Sequence, residues 1–481
     1  MPRRADATLV GVLGFVVSFL GSWIPSIWYD EAATIASATR SWASLGRMVE
    51  SVDAVHAVYY AVLHLWFDLV GYDPITLRLP SAVFAGAAAA LTVLLAARLL
   101  GSRRLGLLAG VVLIVLPRFT WAGGEGRSYA LTMLLAVGLT LAFLAATGPS
   151  ARWWRWLVYG ALAVLSTAVF LYLALIVAAH AVTIVVRWIA RRDTRELLGF
   201  GITAVGVVLA SLPIIVAVVG QSGQLSWVAP VDQETWRGVF LTQFFPKNPA
   251  FAVAAWALMA LGFAALLLRR PLRSVVAVLV PWLVVPTIAI VAASVLITPL
   301  YSPRYLTFAL PAVAIAIAAA PMLLPNLRAR VVVAVSIVAL LVVLAVPSYL
   351  GQRTPEAKQG ASWSQGAGDV ARIDRGEPTA LVFGSIAYHP GATARVIEYA
   401  YPEAFRGFDD VALTVPLEES PDLWEKADPI DAPLLEGYDR AVLVTSGRER
   451  VQNEEAITRA GFREVDRWYS ANLVVVLYER I

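Results

Sequence analysis

The sequence predicts a polytopic α-helical membrane protein with about 11 transmembrane helices and a C-terminal extracytoplasmic α/β domain. Apolar runs of about 20 residues recur through the first three quarters of the chain, enough to cross a hydrocarbon core of roughly 30 Å. Of 481 residues, 59% are hydrophobic and 15% charged, and mean hydropathy is +0.70. Charge is also unevenly divided. Residues 351–481 carry 22 acids and 14 Lys/Arg, whereas residues 1–350 carry 12 acids and 24 Lys/Arg. That break, at Pro347–Gly351, divides a membrane domain, 1–350, from a soluble extracytoplasmic domain, 351–481.

The expected spans run approximately over 8–27, 76–97, 105–121, 128–147, 154–170, 171–187, 198–219, 250–268, 274–296, 305–324 and 330–348. The first apolar run, which follows Met1-Pro-Arg-Arg, reads as an uncleaved span because no small-residue cleavage site precedes a soluble domain. Residues 154–187 are taken as two short spans meeting near Phe170-Leu-Tyr172. The loops then alternate in character. Arg3 and Arg4, Arg98 to Arg104, Arg152 and Arg155, Arg187 to Arg195, Arg269 to Arg273, and Arg328 and Arg330 fall on one side. The positive-inside rule makes that side cytoplasmic, with the N-terminus, and sends 351–481 outside. The two long loops, 28–75 and 220–249, are then also outside, which places the chemistry there.

Within 351–481, the β-branched runs Thr379–Phe383, Arg440–Thr445 and Asn472–Tyr478 read as strands. Val451 to Ala460 has helical spacing and stops at Gly461, a C′ glycine. This domain reads as a lid or acceptor-docking module, since it holds no phosphate loop or nucleophile motif. Cysteine is absent, which excludes disulfides, a thiolate nucleophile and a zinc–cysteine site.

Candidate chemistry lies in the expected outer loops. Trp28-Tyr29-Asp30-Glu31 puts adjacent carboxylates at a membrane boundary, where ionised groups are costly unless paired or solvated. A solvated interfacial cap is the ordinary alternative. The same loop carries Asp53-Ala-Val-His56-Ala-Val-Tyr59-Tyr60. Glu125-Gly-Arg127-Ser-Tyr129 follows a glycine pair at the start of the fourth span, and Tyr301-Ser-Pro303-Arg304-Tyr305 precedes the tenth. Arg78 and Lys247 are further outer cations, among eight basic residues on that side. An arginine at such a place can fork onto phosphate oxygens, or simply snorkel from a helix end. Together, carboxylates to activate a hydroxyl and guanidiniums to hold a phosphate leaving group would suit one reaction.

These residues resemble the GT-C superfamily of glycosyltransferases, and within it the protein O-mannosyltransferases and the lipid A aminoarabinose transferase-like enzymes. Trp28-Tyr-Asp-Glu-Ala-Ala-Thr34 with Asp53-Ala-Val-His-Ala-Val-Tyr-Tyr60 is similar to actinobacterial members called mannosyltransferases. The resemblance covers about residues 1–350 and implies a GT-C-like fold. It implies inverting transfer of a sugar, with mannose favoured, from a polyprenyl-phosphate donor to a cell-envelope glycan, lipid or protein hydroxyl outside the plasma membrane. Asp30 then matches the catalytic carboxylate and Glu31 its neighbour. Arg304 and Arg127, with Arg78 and Lys247, would bind the donor phosphate. His56, Tyr59, Tyr60, Glu125, Tyr129, Tyr301 and Tyr305 are candidates to line the substrate site. The family often has His-Pro-Pro-x-Tyr where this chain has His56-Ala-Val-Tyr-Tyr, so that loop's shape does not carry over.

No cofactor is required by this reading. Some members use a divalent cation, for which Glu31 and Glu125 are the available oxygen ligands. Membrane lipids are expected partners and nucleic acid is not. The readings that compete are an arabinofuranosyltransferase of the same superfamily, an envelope-polymer transporter or flippase, and a polymer-binding scaffold. Transport would call for ionisable groups near the bilayer midplane, where His180 is the clearest candidate, although a helix–helix hydrogen bond accounts for it equally.

Overall fold

The computed structural model describes residues 4–148, 151–225, 227–373, 376–386, 389, 391–446 and 450–481, without the side chains of 191 and 450–452. Arg3 and the Arg191 side chain, both counted above as cytoplasmic cations, lie outside the described residues. The chain divides into two compact units. A membrane unit comprises Met1–Leu20, Ala54–Tyr59 and Arg78–Leu350; a sheet unit comprises Gly21–Asp53, Tyr60–Leu77 and Gly351–Ile481. Much of the expected outer loop 28–75 therefore folds with the C-terminal residues.

Among the described residues of the chain, eight helices are long and apolar enough to cross a membrane: Pro74–Leu100, Tyr129–Ala146, Leu171–Ala190, Thr194–Gly220, Pro249–Leu268, Arg270–Leu296, Pro303–Leu323 and Leu327–Gly351. A ninth is counted if Arg103–Val115 and Pro117–Gly123, bent by 69°, form one span. The bend has a local cause. Leu116 precedes a proline, whose ring drives the preceding residue out of the helical region, and Leu116 is extended at φ −65°, ψ 128°. The expected spans at 8–27 and 154–170 are 16-residue helices, Arg4–Phe19 and Trp154–Val169. At 1.5 Å per residue each is only about 24 Å long. Helices thus occupy all eleven expected positions, and eight or nine meet the length of a full crossing. The 154–187 region holds two helices, separated by extended backbone at Phe170.

Helix Leu310–Ala319 is buried at every residue and forms the centre of the membrane unit. Its neighbour Pro249–Leu268 approaches so closely that a Cβ on Gly262 would stand 1.8 Å from the Ala316 carbonyl oxygen, so only glycine fits there. By contrast, Thr194–Gly220 and Leu327–Gly351 leave most of their Val, Leu and Ile side chains exposed, as lipid-facing helices do.

The sheet unit is built on strands β1 (Thr379–Phe383), β2 (Asp409–Asp410), β3 (Leu413–Val415), β4 (Lys426–Ala427), β5 (Arg440–Thr445), β6 (Phe462–Ser470) and β7 (Leu473–Arg480). The main sheet has the order β2-β1-β5-β7-β6, with β2, β1 and β5 parallel and β7 and β6 antiparallel; β3 and β4 pair separately. Inner strands β1 and β5 are the apolar runs visible in sequence. Edge strand β6, Phe-Arg-Glu-Val-Asp-Arg-Trp-Tyr-Ser, is charged and mostly exposed, and hydrophobic patterning does not reveal it. Helix Arg450–Arg459 ends as expected, with Gly461 at φ +88°.

The segment expected to be an outer loop forms helices Tyr29–Ala38 and Trp42–Ser51. Between them Arg40, 1% exposed, donates to the carbonyls of Ser420 (2.6 Å) and Asp422 (2.7 Å), and Ser41 bonds Glu418. A second buried arginine, Arg395, bonds Asp410 and Glu425, the latter at 3.1 Å, and Tyr399 donates to Glu425 at 2.9 Å. Beside them Glu398 is pushed up to about 7, first by burial and then by Asp410, with Arg395 opposing and Glu425 adding. A carboxyl raised in the folded state binds its proton there before it does when unfolded. Its contribution to stability is full below the unfolded value of about 4.3 and is lost as pH rises through about 7. We expect the protein's melting temperature to fall between pH 5 and pH 8, and Glu398→Gln to flatten that dependence. Thermal unfolding of both proteins across this range checks it, and parallel curves would refute it.

Candidate active site

In the membrane unit, ionisable groups collect where helices begin, end or break. Arg118 opens helix Pro117–Gly123 just after the 69° bend. Arg127 lies in the turn before Tyr129–Ala146, His56 in the short 3-10 helix Ala54–His56, and Arg304 at the start of Pro303–Ala309. Arg127 Nη2 lies 2.9 Å from His56 Nε2. A guanidinium can only donate, so Nε2 accepts and the imidazole is neutral with its proton on Nδ1. Burial, followed by the charges of Arg127 and Arg304, holds His56 well below its ordinary value. His56 thus accepts a hydrogen bond from Arg127 and helps to orient it.

Arg304 is half-buried, with its guanidinium 5.2 Å from the Trp227 ring and 5.9 Å from that of Tyr305. Arg118 lies within electrostatic reach of Arg304, Glu125, Tyr129 and Tyr301. It donates to the carbonyls of Thr242 (2.5 Å) and Gln243 (3.2 Å) and sits over Trp121. Gln243 in turn accepts from the Tyr301 hydroxyl at 3.1 Å. Tyr305 packs against Tyr172 and Phe170, and Phe170 stacks near His56. Three guanidiniums and a neutral imidazole are thus gathered in this unit, with Glu125 the nearby acid. Arg78 is fully buried on the helix that carries Ser81, one turn on, whose hydroxyl donates to the Arg127 carbonyl. Tyr59 and Tyr129 are buried in the same unit. Lys247 is exposed on the turn before Pro249–Leu268, and among the described residues no hydrogen bond or ion pair joins it to these groups.

The carboxylates belong to the sheet unit. Asp30 and Glu31 occupy the first turn of Tyr29–Ala38, where a helix favours negative charge. Their environments differ. Asp30 is partly exposed, whereas the Glu31 side chain is fully buried, with Oε1 2.9 Å from Lys358 Nζ, itself 7% exposed. Glu31 is thus held by an ion pair, while Asp30 keeps partial exposure. The Tyr60 hydroxyl donates to Asp53, a residue at φ +59°, at 2.7 Å. Among the described residues no three carboxylate or imidazole groups gather as metal ligands do. Glu31, one of the two oxygen ligands available for a divalent cation, is bound to Lys358.

Sequence reasoning missed Arg118, Trp227 and Lys358. Arg118 carried a signal, because it follows a proline directly inside an apolar run. Lys358 is one of only three lysines in the chain. Deep in a span, His180 bonds the Tyr159 hydroxyl at 3.0 Å and stacks on Phe143, a helix–helix contact.

The helices and the sheet together define a polytopic membrane protein with a C-terminal sheet-containing domain. Among solved structures the chain is similar to ArnT from Cupriavidus metallidurans bound to undecaprenyl phosphate, with TM-score 0.60 and 15% sequence identity over 98% of this chain and 97% of that one. ArnT in the apo state gives TM-score 0.56 at the same identity and coverage. At 15% identity this likeness establishes the fold. No family model and no curated protein sequence matches the chain.

Removing one partner of a buried ion pair leaves the other charge uncompensated, at about 3–5 kcal/mol. Lys358→Met should therefore lower the melting temperature sharply, and the double variant Lys358→Met with Glu31→Gln should recover much of the loss. A single variant as stable as the wild type in thermal unfolding would contradict the pair.

Proposed function

We propose that this protein is an inverting glycosyltransferase that moves a hexose from a polyprenyl-phosphate donor to an acceptor hydroxyl outside the plasma membrane. The observation that carries the reading is the gathering of Arg118, Arg127, Arg304 and His56 at helix ends of the membrane unit. The ArnT structure that holds undecaprenyl phosphate has this fold over nearly the whole chain, which supports a polyprenyl phosphate as the donor's carrier. Mannose is the sugar favoured by the motif resemblance around Asp30 and His56.

In this reaction Asp30 takes the proton of the acceptor hydroxyl while the oxygen attacks the anomeric carbon from the face opposite the phosphate. The bond from that carbon to the phosphate oxygen breaks, and polyprenyl phosphate leaves with the electron pair. A phosphate departs without acid help when cations meet its developing charge, the task given to Arg127 and Arg304. Direct displacement inverts the anomeric centre, and a positioned base contributes about 10²–10⁴-fold. A lipid-borne donor needs no nucleotide-binding domain. The positive-inside asymmetry supports a cytoplasmic N-terminus, with 1–350 as the catalytic membrane domain and 351–481 outside as an acceptor-facing domain.

The purified protein should transfer label from polyprenyl-phosphate mannose to membrane acceptors, and a parallel panel with arabinose and glucose donors fixes the sugar. Silence across the panel would end this reading. Asp30→Asn should abolish transfer while retaining donor binding; near-wild-type turnover would remove the catalytic assignment. Arg304→Ala should raise KM for the lipid donor more than for the acceptor, and equal changes in both would mark Arg304 as structural.

A further inference from the structure

Helix Ala57–Val70 exposes an apolar face and buries its polar groups. Tyr60, Leu63, His64 and Phe67, spaced i, i+3, i+4 and i+7, are buried. The polar ones are bonded there: Tyr60 donates to Asp53, and His64 Nδ1 lies 3.0 Å from the carbonyl oxygen of Ala38. On the opposite face Val62, Leu65 and Leu69, spaced i, i+3 and i+7, are exposed, Leu65 at 62% and Leu69 at 76%. Ala61 and Trp66 flank them, half-buried. A helix that meets water shows the reverse pattern, with charged and polar residues turned outward. The helix holds one acid and no lysine or arginine. That acid, Asp68, stands about 100° round the axis from Leu69.

The course of the chain indicates what meets this face. The helix stops at Gly71, at φ +71°. Pro74 then opens the span Pro74–Leu100, capped by Asp73, whose carboxylate accepts from the Ile75 and Thr76 N–H groups at 2.7 Å. The Trp66 indole donates to the Thr76 carbonyl at 2.9 Å, so the end of one helix is fixed beside the start of the other. The apolar surface continues through the turn, because Leu69 and Val70 before it and Ile75 after it are all exposed. Fourteen residues make about 21 Å of helix, too short for a hydrocarbon core of about 30 Å. The segment is therefore no further crossing, yet its apolar face begins where a crossing begins. No lysine or arginine lies between Arg47 and Arg78, so nothing here selects anionic headgroups. A protein partner is the poorer match. Specific interfaces carry several hydrogen bonds, and the one donor flanking this face, the Trp66 indole, is already engaged.

We infer that helix Ala57–Val70 lies in the plane of the membrane surface, with Val62, Leu65 and Leu69 sunk among lipid acyl chains on the side where the span Pro74–Leu100 begins. The inference stands on these contacts and does not depend on the transferase reading. It also gives the segment a task. Ala38, bonded by His64, is the last residue of the helix whose first turn carries Asp30. Seating Ala57–Val70 in lipid thereby fixes the height of that helix relative to the bilayer.

Nitroxide depth measurement on the full-length protein in phosphatidylcholine nanodiscs tests it. The chain has no cysteine, so each one introduced is the only labelling site. Val62→Cys, Leu65→Cys and Leu69→Cys replace exposed side chains and leave the core intact. Asp431→Cys, exposed in the sheet unit, is the water standard; Val205→Cys, exposed near the middle of Thr194–Gly220, is the lipid standard. The ratio of spin relaxation by dissolved oxygen to that by a water-soluble nickel chelate reports depth. At Val62, Leu65 and Leu69 it should correspond to about 5–10 Å below the headgroups, deeper than Asp431→Cys and shallower than Val205→Cys. Asp68→Cys should read shallower than Leu69→Cys. A ratio equal to that of Asp431→Cys puts the face in water and overturns the inference. Labels shielded from both oxygen and chelate overturn it too, since a second copy or another protein would then cover the face. Depth equal to that of Val205→Cys would make the segment an inserted loop, and equal depths at Asp68 and Leu69 would remove the in-plane orientation.

Discussion

The constraint behind the membrane unit is the cost of placing a full charge in hydrocarbon. An arginine at the middle of a span costs several kcal/mol unless something compensates it. Arg78, Arg118, Arg127 and Arg304 all stand near helix starts or breaks, where carbonyls of neighbouring segments, aromatic faces and other side chains can reach them. Arg118 shows the device most fully. The proline that breaks its helix brings it to the carbonyls of Thr242 and Gln243, and the Trp121 ring covers it. The same constraint concentrates cations, because few places tolerate them. The site proposed for a phosphate leaving group thus coincides with the positions at which a membrane protein can keep arginine at all.

Adjacent carboxylates in the sheet unit have been given opposite tasks by one helical turn. Successive residues on a helix point about 100° apart, so Asp30 and Glu31 cannot share an environment. Glu31 turns inward to Lys358, and Asp30 stays partly exposed. The buried pair fixes the first turn of Tyr29–Ala38, and Arg40 fixes its far end against the 420–423 carbonyls. A base that must meet a hydroxyl within a few tenths of an ångström benefits from such a mount. Covering the same helix with residues of the C-terminal domain gives that domain a structural part in positioning Asp30, whatever it binds.

The likeness to ArnT at 15% identity shows how little of a membrane fold resides in particular residues. Apolar length, breaks at proline and glycine contacts between helices are enough to define the path of the chain. Chemistry needs more, and the chemistry proposed here rests on a few polar side chains in an apolar body. Neutral His56 illustrates this: two arginines and burial keep it from ionising, so it serves as an acceptor for Arg127.

The amino-acid sequence alone determined the membrane class, the helix positions, the β1, β5 and β7 strands, and the residues at which charge accumulates. Each of these is written locally, in apolar run length, in β-branched alternation or in the place of a proline. Three things were decided only in the folded chain. Residues 21–53 form helices joined to the C-terminal part, because Arg40 and Glu31 find their partners 320 to 380 positions away. Edge strand β6 exists because β7 offers it a ladder, while its own charged pattern offers no apolar face. The partners of His56, Glu31 and Tyr60, namely Arg127, Lys358 and Asp53, were brought to them only by folding. A sequence names an ionisable group, but burial and the nearest charge decide what that group can do.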